Sequence, residues 1–496
     1  MLKDLKNVIK HSGIYGIGNI LGKLGVFLMI PVYTRYLTPA DYGTLELFYT
    51  TTTILKTFLA VGIAHATLRF FFEYEAASER KKVISTALIA TFFFGLIGTV
   101  FLFAFAGGLS SALFGTAQYG GLFRLVAFTF LLELSMEVSL AYLRASEKSV
   151  FFISVSIFQL IARIGVSVAL LVFLGQGIKG ILIGDLCGVA LAWLILTVFT
   201  VRFSGVSIDI KKLKEILHYS FPLALGSLSF LVIGTSDRYI MNSFIGVGAI
   251  GLYALAYRFG SVIQSLYTEP FTKSYGPYRF SIMKRTDAGV FYSRVLTYFL
   301  FGYLFLGLGV SVLSEEVIAL MAARPFWDSY RIVPIMVLAS AGGGCYYILQ
   351  IGIYIEKKTR YVPQILFCSA AVNVLLNFIL IPPLGATGAA LTLVATNAST
   401  CALTYIVSQR LMPIDYEFGR IIKLAAAAGV IYAASLLVDT GITWLDMLLK
   451  ILLVMAYPLL LKFLRFYHDD EALIIRAKWA NLSSLLLSKV FSPKAS

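Results

Sequence analysis

Charge is scarce in this sequence: 14% of its 496 residues are Asp, Glu, Lys or Arg, against roughly 25% in soluble domains. With 59% hydrophobic residues and a mean hydropathy of +0.85, a single soluble core cannot hide the apolar surface, so lipid is the solvent for most of the chain. Cysteine is scarce too. Cys187, Cys345, Cys368 and Cys401 stand singly in apolar stretches, with no CxxC spacing and no neighbouring His, which argues against a metal site or a redox pair. No DxD, no HExxH and no nucleophile–base pair is apparent, and no connection is long enough to fold as an external domain. A glycan polymerase or ligase is therefore disfavoured, and neither an enzyme nor a cofactor or metal is expected. The N-terminus is basic but lacks an A-x-A site after a short apolar core, so no removable signal is expected.

What the chain does have is apolar runs. About 20 residues suffice to cross a bilayer as a helix, and such runs centre near Val26, Thr53, Phe94, Leu131, Ala162, Leu191, Leu228, Gly260, Leu300, Leu338, Val372, Thr396, Ile431 and Leu453. The expectation is an all-α integral membrane protein of about fourteen helices. The net charge of +15 is carried mostly by short basic runs in alternate connections, such as Arg80/Lys81/Lys82, Arg144/Lys148 and Lys357/Lys358/Arg360. Positive charge stays cytoplasmic. Both termini are thus expected in the cytoplasm of a multi-pass protein, and no nucleic-acid partner is needed to explain the charge.

Two glycine features recur at one offset. Gly43, in LTPADYGTLEL, matches Gly251, in IGVGAIGLYAL; Gly180 matches Gly388; both pairs are 208 residues apart. Six helices per repeat bring both repeats in from the same side, related by a pseudo-two-fold along the membrane normal with a cavity between them. The expected organisation is an N-terminal six-helix lobe (1–205), a C-terminal six-helix lobe (206–412), helices 13 and 14 (413–466) and a cytoplasmic tail (467–496) with some amphipathic character. Gly246, Gly248 and Gly251 spell GxGxxG, but a membrane helix rather than a strand precedes them, so the run is a tight turn, not a nucleotide site.

Charges inside the spans are costly, and normally face a cavity or a partner. Polar residues at helical spacing form stripes: Ser12, Gly16, Asn19 and Lys23; Glu46, Tyr49, Thr53 and Lys56; Ser156, Gln159, Arg163 and Ser167; Tyr253, Tyr257, Gln264 and Tyr267 beside Arg258. Such stripes also arise from helix packing alone. Together they suggest a cationic cavity for an anionic, phosphate-bearing cargo, with Asn19, Lys23, Arg35, Lys56, Gln159, Arg163, Tyr257 and Arg258 as binding candidates. Arg69, Lys273, Arg294 and Lys450 are expected to snorkel to an interface. Glu46, Glu133, Glu137 and Asp237 are candidates for proton or ion coupling, or else neutralise nearby cations, Asp237 beside Arg238 and Glu46 near Lys56.

IPVYTRYLTPADYGTLEL (Ile30 to Leu47) and AAVNVLLNFILIPPLGATGAALTLVAT (Ala370 to Thr396) resemble two signatures of the oligosaccharide flippases of the polysaccharide transporter group. These belong to the multidrug/oligosaccharidyl-lipid/polysaccharide exporter superfamily. The resemblance implies a two-lobed helical fold in a bacterial cytoplasmic membrane, alternating access, and export of a polyprenyl-pyrophosphate-linked oligosaccharide to the outer leaflet. It also implies work alongside a polysaccharide polymerase and chain-length machinery in O-antigen, capsule or exopolysaccharide synthesis. Related peptidoglycan-precursor flippases carry cavity cations on helices 1, 2 and 8, where this chain has Lys23, Lys56 and Arg258, and two extra helices that form a lipid-tail groove. That function, or multidrug export, is the alternative within the superfamily.

Overall fold

In hydrocarbon every backbone N–H and C=O must be satisfied within its own segment, which leaves the helix as the spanning form for apolar runs of this length. A computed structural model describes residues 22, 24, 25, 27–60, 62–469 and 471, apart from the side chains of Pro222, Leu223 and Leu225. Asn19, Lys23 and the tail beyond residue 471 lie outside the described residues. Among those described, no strand occurs.

The helices run in chain order as α1 (Ile30–Tyr36), α2 (Pro39–Ala60), α3 (Ile63–Glu73), α4 (Ala77–Ala104), α5 (Ala106–Phe114), α6 (Gly120–Ala145), α7 (Ser149–Val168) and α8 (Gly177–Ser204). They continue as α9 (Ile210–Ile245), α10 (Val247–Ile263), α11 (Glu269–Ser281), α12 (Ala288–Val312), α13 (Ser314–Met321), α14 (Val333–Leu349), α15 (Ile351–Ile355), α16 (Tyr361–Leu411), α17 (Phe418–Ser435), α18 (Thr443–Met455) and α19 (Tyr457–Phe463). A π-turn extends α7 through Ala169–Phe173 and another joins α10 to α11 through Gln264–Thr268.

Ten described helices are long and apolar enough to cross a membrane, or eleven when the bent α9 counts as one span. The sequence offers fourteen centres, and the difference has physical causes. At 51 residues α16 would stretch roughly 77 Å, more than twice the ~30 Å of a hydrocarbon core. It is broken at Gly385 (φ 61°, ψ −137°), a backbone region open essentially to glycine alone, just after Pro382 and Pro383. The centres Val372 and Thr396 lie on either side of that break. Helix α9 bends by 58° between Ile210–Phe221 and Gly226–Ile245, where Pro222 has no N–H to give the ladder. Gly260 lies on α10, which is regular for only 17 residues before its π-turn. Val26 is not among the described residues.

The first signature explains its own geometry. Thr38 and Asp41 form a reciprocal cap at the start of α2: Thr38 Oγ1 donates to Asp41 Oδ2 (2.7 Å) and the Asp41 amide donates to Thr38 Oγ1 (3.1 Å). Pro39 follows the cap at the position where a missing N–H costs nothing. The second signature supplies Asn373 and Asn377, whose amides join Ser236 of α9 and Thr396 in a buried network.

Two bundles result. In one, α4, α6, α7 and α8 pack together; in the other, α9, α12, α14 and α16 do. Helix α2 packs on α9 and α10, and α3 on α4, α6 and α9, so the two bundles are joined. Helices α17 to α19 pack outside, against α12. Large apolar side chains such as Phe93, Ile161, Phe173, Leu375 and Leu437 point outward, as a lipid-facing surface requires.

Candidate functional site

Helices α2, α7, α8, α9 and α10 bring charge to one layer. Asp185 of α8 meets Arg163 of α7 at 2.5 Å, and Tyr49 of α2 donates to the other Asp185 oxygen at 2.6 Å. Arg163 Nη2 in turn reaches the Tyr49 hydroxyl at 3.3 Å. On the other side, Asp237 holds Arg238 at 2.8 and 3.0 Å and accepts from Tyr253 of α10. Glu46 of α2 lies between the two groups, 3.6 Å from Arg238 and 4.0 Å from Arg258. Arg238 also sits over the rings of Tyr253 and Tyr257, and Arg258 over that of Tyr42.

Three arginines and three carboxylates balance in this layer. Isolated, any one of them would meet a desolvation cost of several kcal/mol. Between Tyr33, Tyr49, Arg163 and Arg258 the free space is about 30 Å³, room for a water molecule but not for a phosphate.

Lys56 lies ten residues beyond Glu46, roughly 15 Å further along α2, in a different environment. It faces a cavity of about 920 Å³ lined by Thr53, Glu133, Glu137, Arg144 and His65, with Tyr219 at its edge. Lys56 Nζ is 3.0 Å from Glu137 Oε1. Glu133, one turn before Glu137, and Arg144, two turns after it, share the wall, as their spacing predicts. Lys56 and Arg144 balance the two glutamates.

The residues singled out from sequence thus divide. Arg163, Arg258, Glu46, Asp237 and Tyr257 come together in the arginine–carboxylate layer, and Lys56, Glu133 and Glu137 in the cavity. Gln159 lies partly buried one turn before Arg163, and Arg35 is exposed at the end of α1, away from both groups. Asp237 pairs with Arg238 as expected, but Glu46 does not pair with Lys56; helical rise separates them, and Glu137 takes that place. Lys450 does not snorkel: it is buried and bonded to Glu316 of α13, because α18 packs against the second bundle rather than facing lipid with that side. Tyr49 belongs to the polar stripe of Glu46 and Lys56 read from the sequence, and Asp185 to the acidic residues inside the spans; their pairing with Arg163 is not read there. An unmatched Asp in the apolar run GILIGDLCG was the available signal, since such a residue needs a cation on the adjacent helix.

Solved structures share this fold. A lipid II flippase MurJ in an inward closed conformation aligns over 92% of this chain and 99% of its own, with TM-score 0.73 and 16% identity. An inward-facing multidrug resistance MATE family transporter of the MOP superfamily aligns over 80% of this chain and 97% of its own (TM-score 0.61, 14% identity). An outward-facing one aligns over 82% and 95% (TM-score 0.54, 17% identity). No curated protein matches the sequence. The family profile described as polysaccharide biosynthesis protein matches residues 5–283, more than half of the chain, and every residue named in the layer and in the cavity falls within that span. By fold, by the buried charge that fold carries and by this match, the chain is a helical membrane protein that belongs to the polysaccharide biosynthesis protein family.

Proposed function

We propose that the protein is a flippase that moves a polyprenyl-pyrophosphate-linked oligosaccharide from the cytoplasmic to the outer leaflet of a bacterial cytoplasmic membrane by alternating access. The observation that carries this reading is the cavity of about 920 Å³ that holds the Lys56–Glu137 pair, separate from the arginine–carboxylate layer further along α2. The cavity lies toward the ends of α6 and α9 that carry Arg144 and Tyr219, beside the basic connections, and those connections face the cytoplasm by the positive-inside rule.

In the proposed cycle the diphosphate displaces Glu137 from Lys56 and also draws on Arg144. The glycan fills the polar cavity and the polyprenyl chain stays in lipid. Glu133 and Glu137, freed of their cations, take a proton or sodium ion, which restores the charge balance. Separation of Glu46 from Arg238 and Arg258 then opens the other side. With the inside negative, outward movement of an anion gains about 2.3 kcal/mol per charge per 100 mV. The product feeds a polymerase and its chain-length machinery for a surface polysaccharide such as O-antigen, capsule or exopolysaccharide.

A second reading, flipping of a peptidoglycan lipid precursor, is favoured by the breadth of the fold match to the lipid II flippase. Deletion of the gene in its host separates the two. Accumulation of a lipid-linked surface oligosaccharide on the cytoplasmic leaflet, reversed by the wild-type chain but not by Lys56→Ala at equal abundance, supports the first. Normal export of that oligosaccharide with cell lysis on depletion supports the second.

A further inference from the structure

The chain has a second cavity of a different chemistry at the opposite end of α2. About 480 Å³ of space lies between the start of α2, the turn from α5 to α6, and the joint of α9 and α10. Its walls are Thr44, Phe114, Thr116, Gln118, Tyr119, Asn242 and Ser243, with the backbone around Gly246 and Val247; no lining residue is charged. The volume falls within the roughly 300–1,000 Å³ typical of small-molecule sites.

We propose that this cavity is a binding subsite for an uncharged sugar unit, at the mouth through which the glycan leaves. That it is the exit mouth rests on the flippase reading; that a sugar fits it rests on the walls. An anion finds no cation there, and a metal ion finds no carboxylate. A polyprenyl chain would strip water from Thr116, Gln118, Asn242 and Ser243 without replacing it, at a cost for each unpaired polar group. A sugar matches both halves of the lining: hydroxyls that donate and accept, and C–H faces that lie on rings.

The polar groups have capacity to spare. Thr116 Oγ1 accepts from the Gln118 amide N–H at 3.4 Å and keeps its own proton to donate. Asn242 uses Nδ2 on the Leu113 carbonyl, which leaves its side-chain oxygen as an acceptor. Gln118 is exposed and offers a donor and an acceptor together. Phe114 and Tyr119 stand with ring centres 4.8 Å apart and form an aromatic wall. The Asn242–Leu113 bond ties α9 to α5, so a sugar seated here touches both halves of the chain.

The test uses the full-length chain in nanodiscs and saturation-transfer NMR with the methyl glycosides of glucose, galactose and N-acetylglucosamine. At least one glycoside should receive saturation from the wild-type protein. Gln118→Ala, at an exposed position, should weaken that binding by about fivefold, the scale of one lost hydrogen bond. Tyr119→Phe, which keeps the ring, should weaken it less than Tyr119→Ala. No transfer to any glycoside, or transfer indifferent to the Gln118 and Tyr119 variants, overturns the proposal. Flipping of lipid-linked oligosaccharide is assayed separately in proteoliposomes: glycoside binding without flipping would sink the flippase reading and leave the sugar subsite standing.

Discussion

Gly43 of α2 lies against the backbone of Val247, and Gly251 of α10 lies against the backbone of Pro39, so each helix meets the other through residues 208 positions apart. A Cβ on Gly43 would fall 1.9 Å from the Val247 carbonyl oxygen, and one on Gly251 would fall 2.0 Å from that of Pro39. Neither obstacle is the tip of a flexible side chain. Gly43→Ala and Gly251→Ala should each force the helices apart, at about 1–3 kcal/mol for overpacking. Both press on one contact, so the double variant should lose less thermal stability than the sum of the singles. Strictly additive losses in melting temperature would show two independent sites instead.

The offset of the two glycines was legible in the sequence, because an offset can be read without coordinates; that the two face each other was not. The helices were legible too, since lipid permits little else, as was the grouping of Glu133, Glu137 and Arg144, fixed by helical spacing. Partners across helices were not. Glu46 shares a polar stripe with Lys56, yet the stripe runs past two chemically separate places, and Glu137 and Arg238 come from helices whose rotation no local pattern reveals. Lys450 failed for the same reason: its position near a span edge suggested snorkelling, whereas the packing of α18 turns it inward to Glu316.

Removal of one member of the Lys450–Glu316 pair should therefore be costly. Lys450→Met leaves Glu316 buried without its cation, a change on the order of 3–5 kcal/mol. The double variant Lys450→Met/Glu316→Leu removes both charges and should regain most of that loss. Chemical or thermal unfolding of the three purified variants measures the cycle, and a double variant no more stable than the single would show that the pair's geometry, not its charge balance, holds α18 in place.

Glu137 competes with an anionic cargo for Lys56 in the proposed cycle. Glu137→Gln should then bind inorganic pyrophosphate more tightly than wild type, by roughly tenfold if about 1.4 kcal/mol of ion pairing is released. Lys56→Gln should bind it more weakly. Isothermal titration of detergent-purified protein reads both, and equal affinities across the three proteins would remove Lys56 from the cargo site.

The arginine–carboxylate layer offers a sharper separation of structure from transport. Asp185 holds Arg163 and accepts from Tyr49, whereas Tyr49 contributes a neutral hydroxyl to the same knot. Asp185→Asn keeps the shape and removes the charge, which leaves Arg163, a third exposed, without its carboxylate. It should cost less stability than the roughly 3–5 kcal/mol of a fully buried broken pair, since Arg163 reaches solvent, but more than the roughly 1 kcal/mol expected of Tyr49→Phe. If both variants unfold alike, the hydroxyl rather than the ion pair organises the layer.

In the connection between α16 and α17, Glu417 gathers three partners. It accepts from Thr297 at 2.7 Å and from Arg420 at 3.0 and 3.1 Å, and lies 3.3 Å from His468, while Arg420 also donates to Glu471 at 2.8 Å. Burial pushes its pKa up, but the Thr297 hydrogen bond, the Arg420 guanidinium and His468 outweigh that and hold the carboxyl below its ordinary value. A carboxylate with a depressed folded pKa contributes stability that is complete above its unfolded pKa, about 4.3, and disappears as pH falls through the folded value. The stability gap between wild type and Glu417→Gln should therefore be widest above roughly pH 5, and should narrow as the solution is acidified below the pKa of a free glutamate. Melting curves of the two proteins from neutral to acidic pH measure the gap. One that widened on acidification would mean that protonated Glu417 is the form these partners hold.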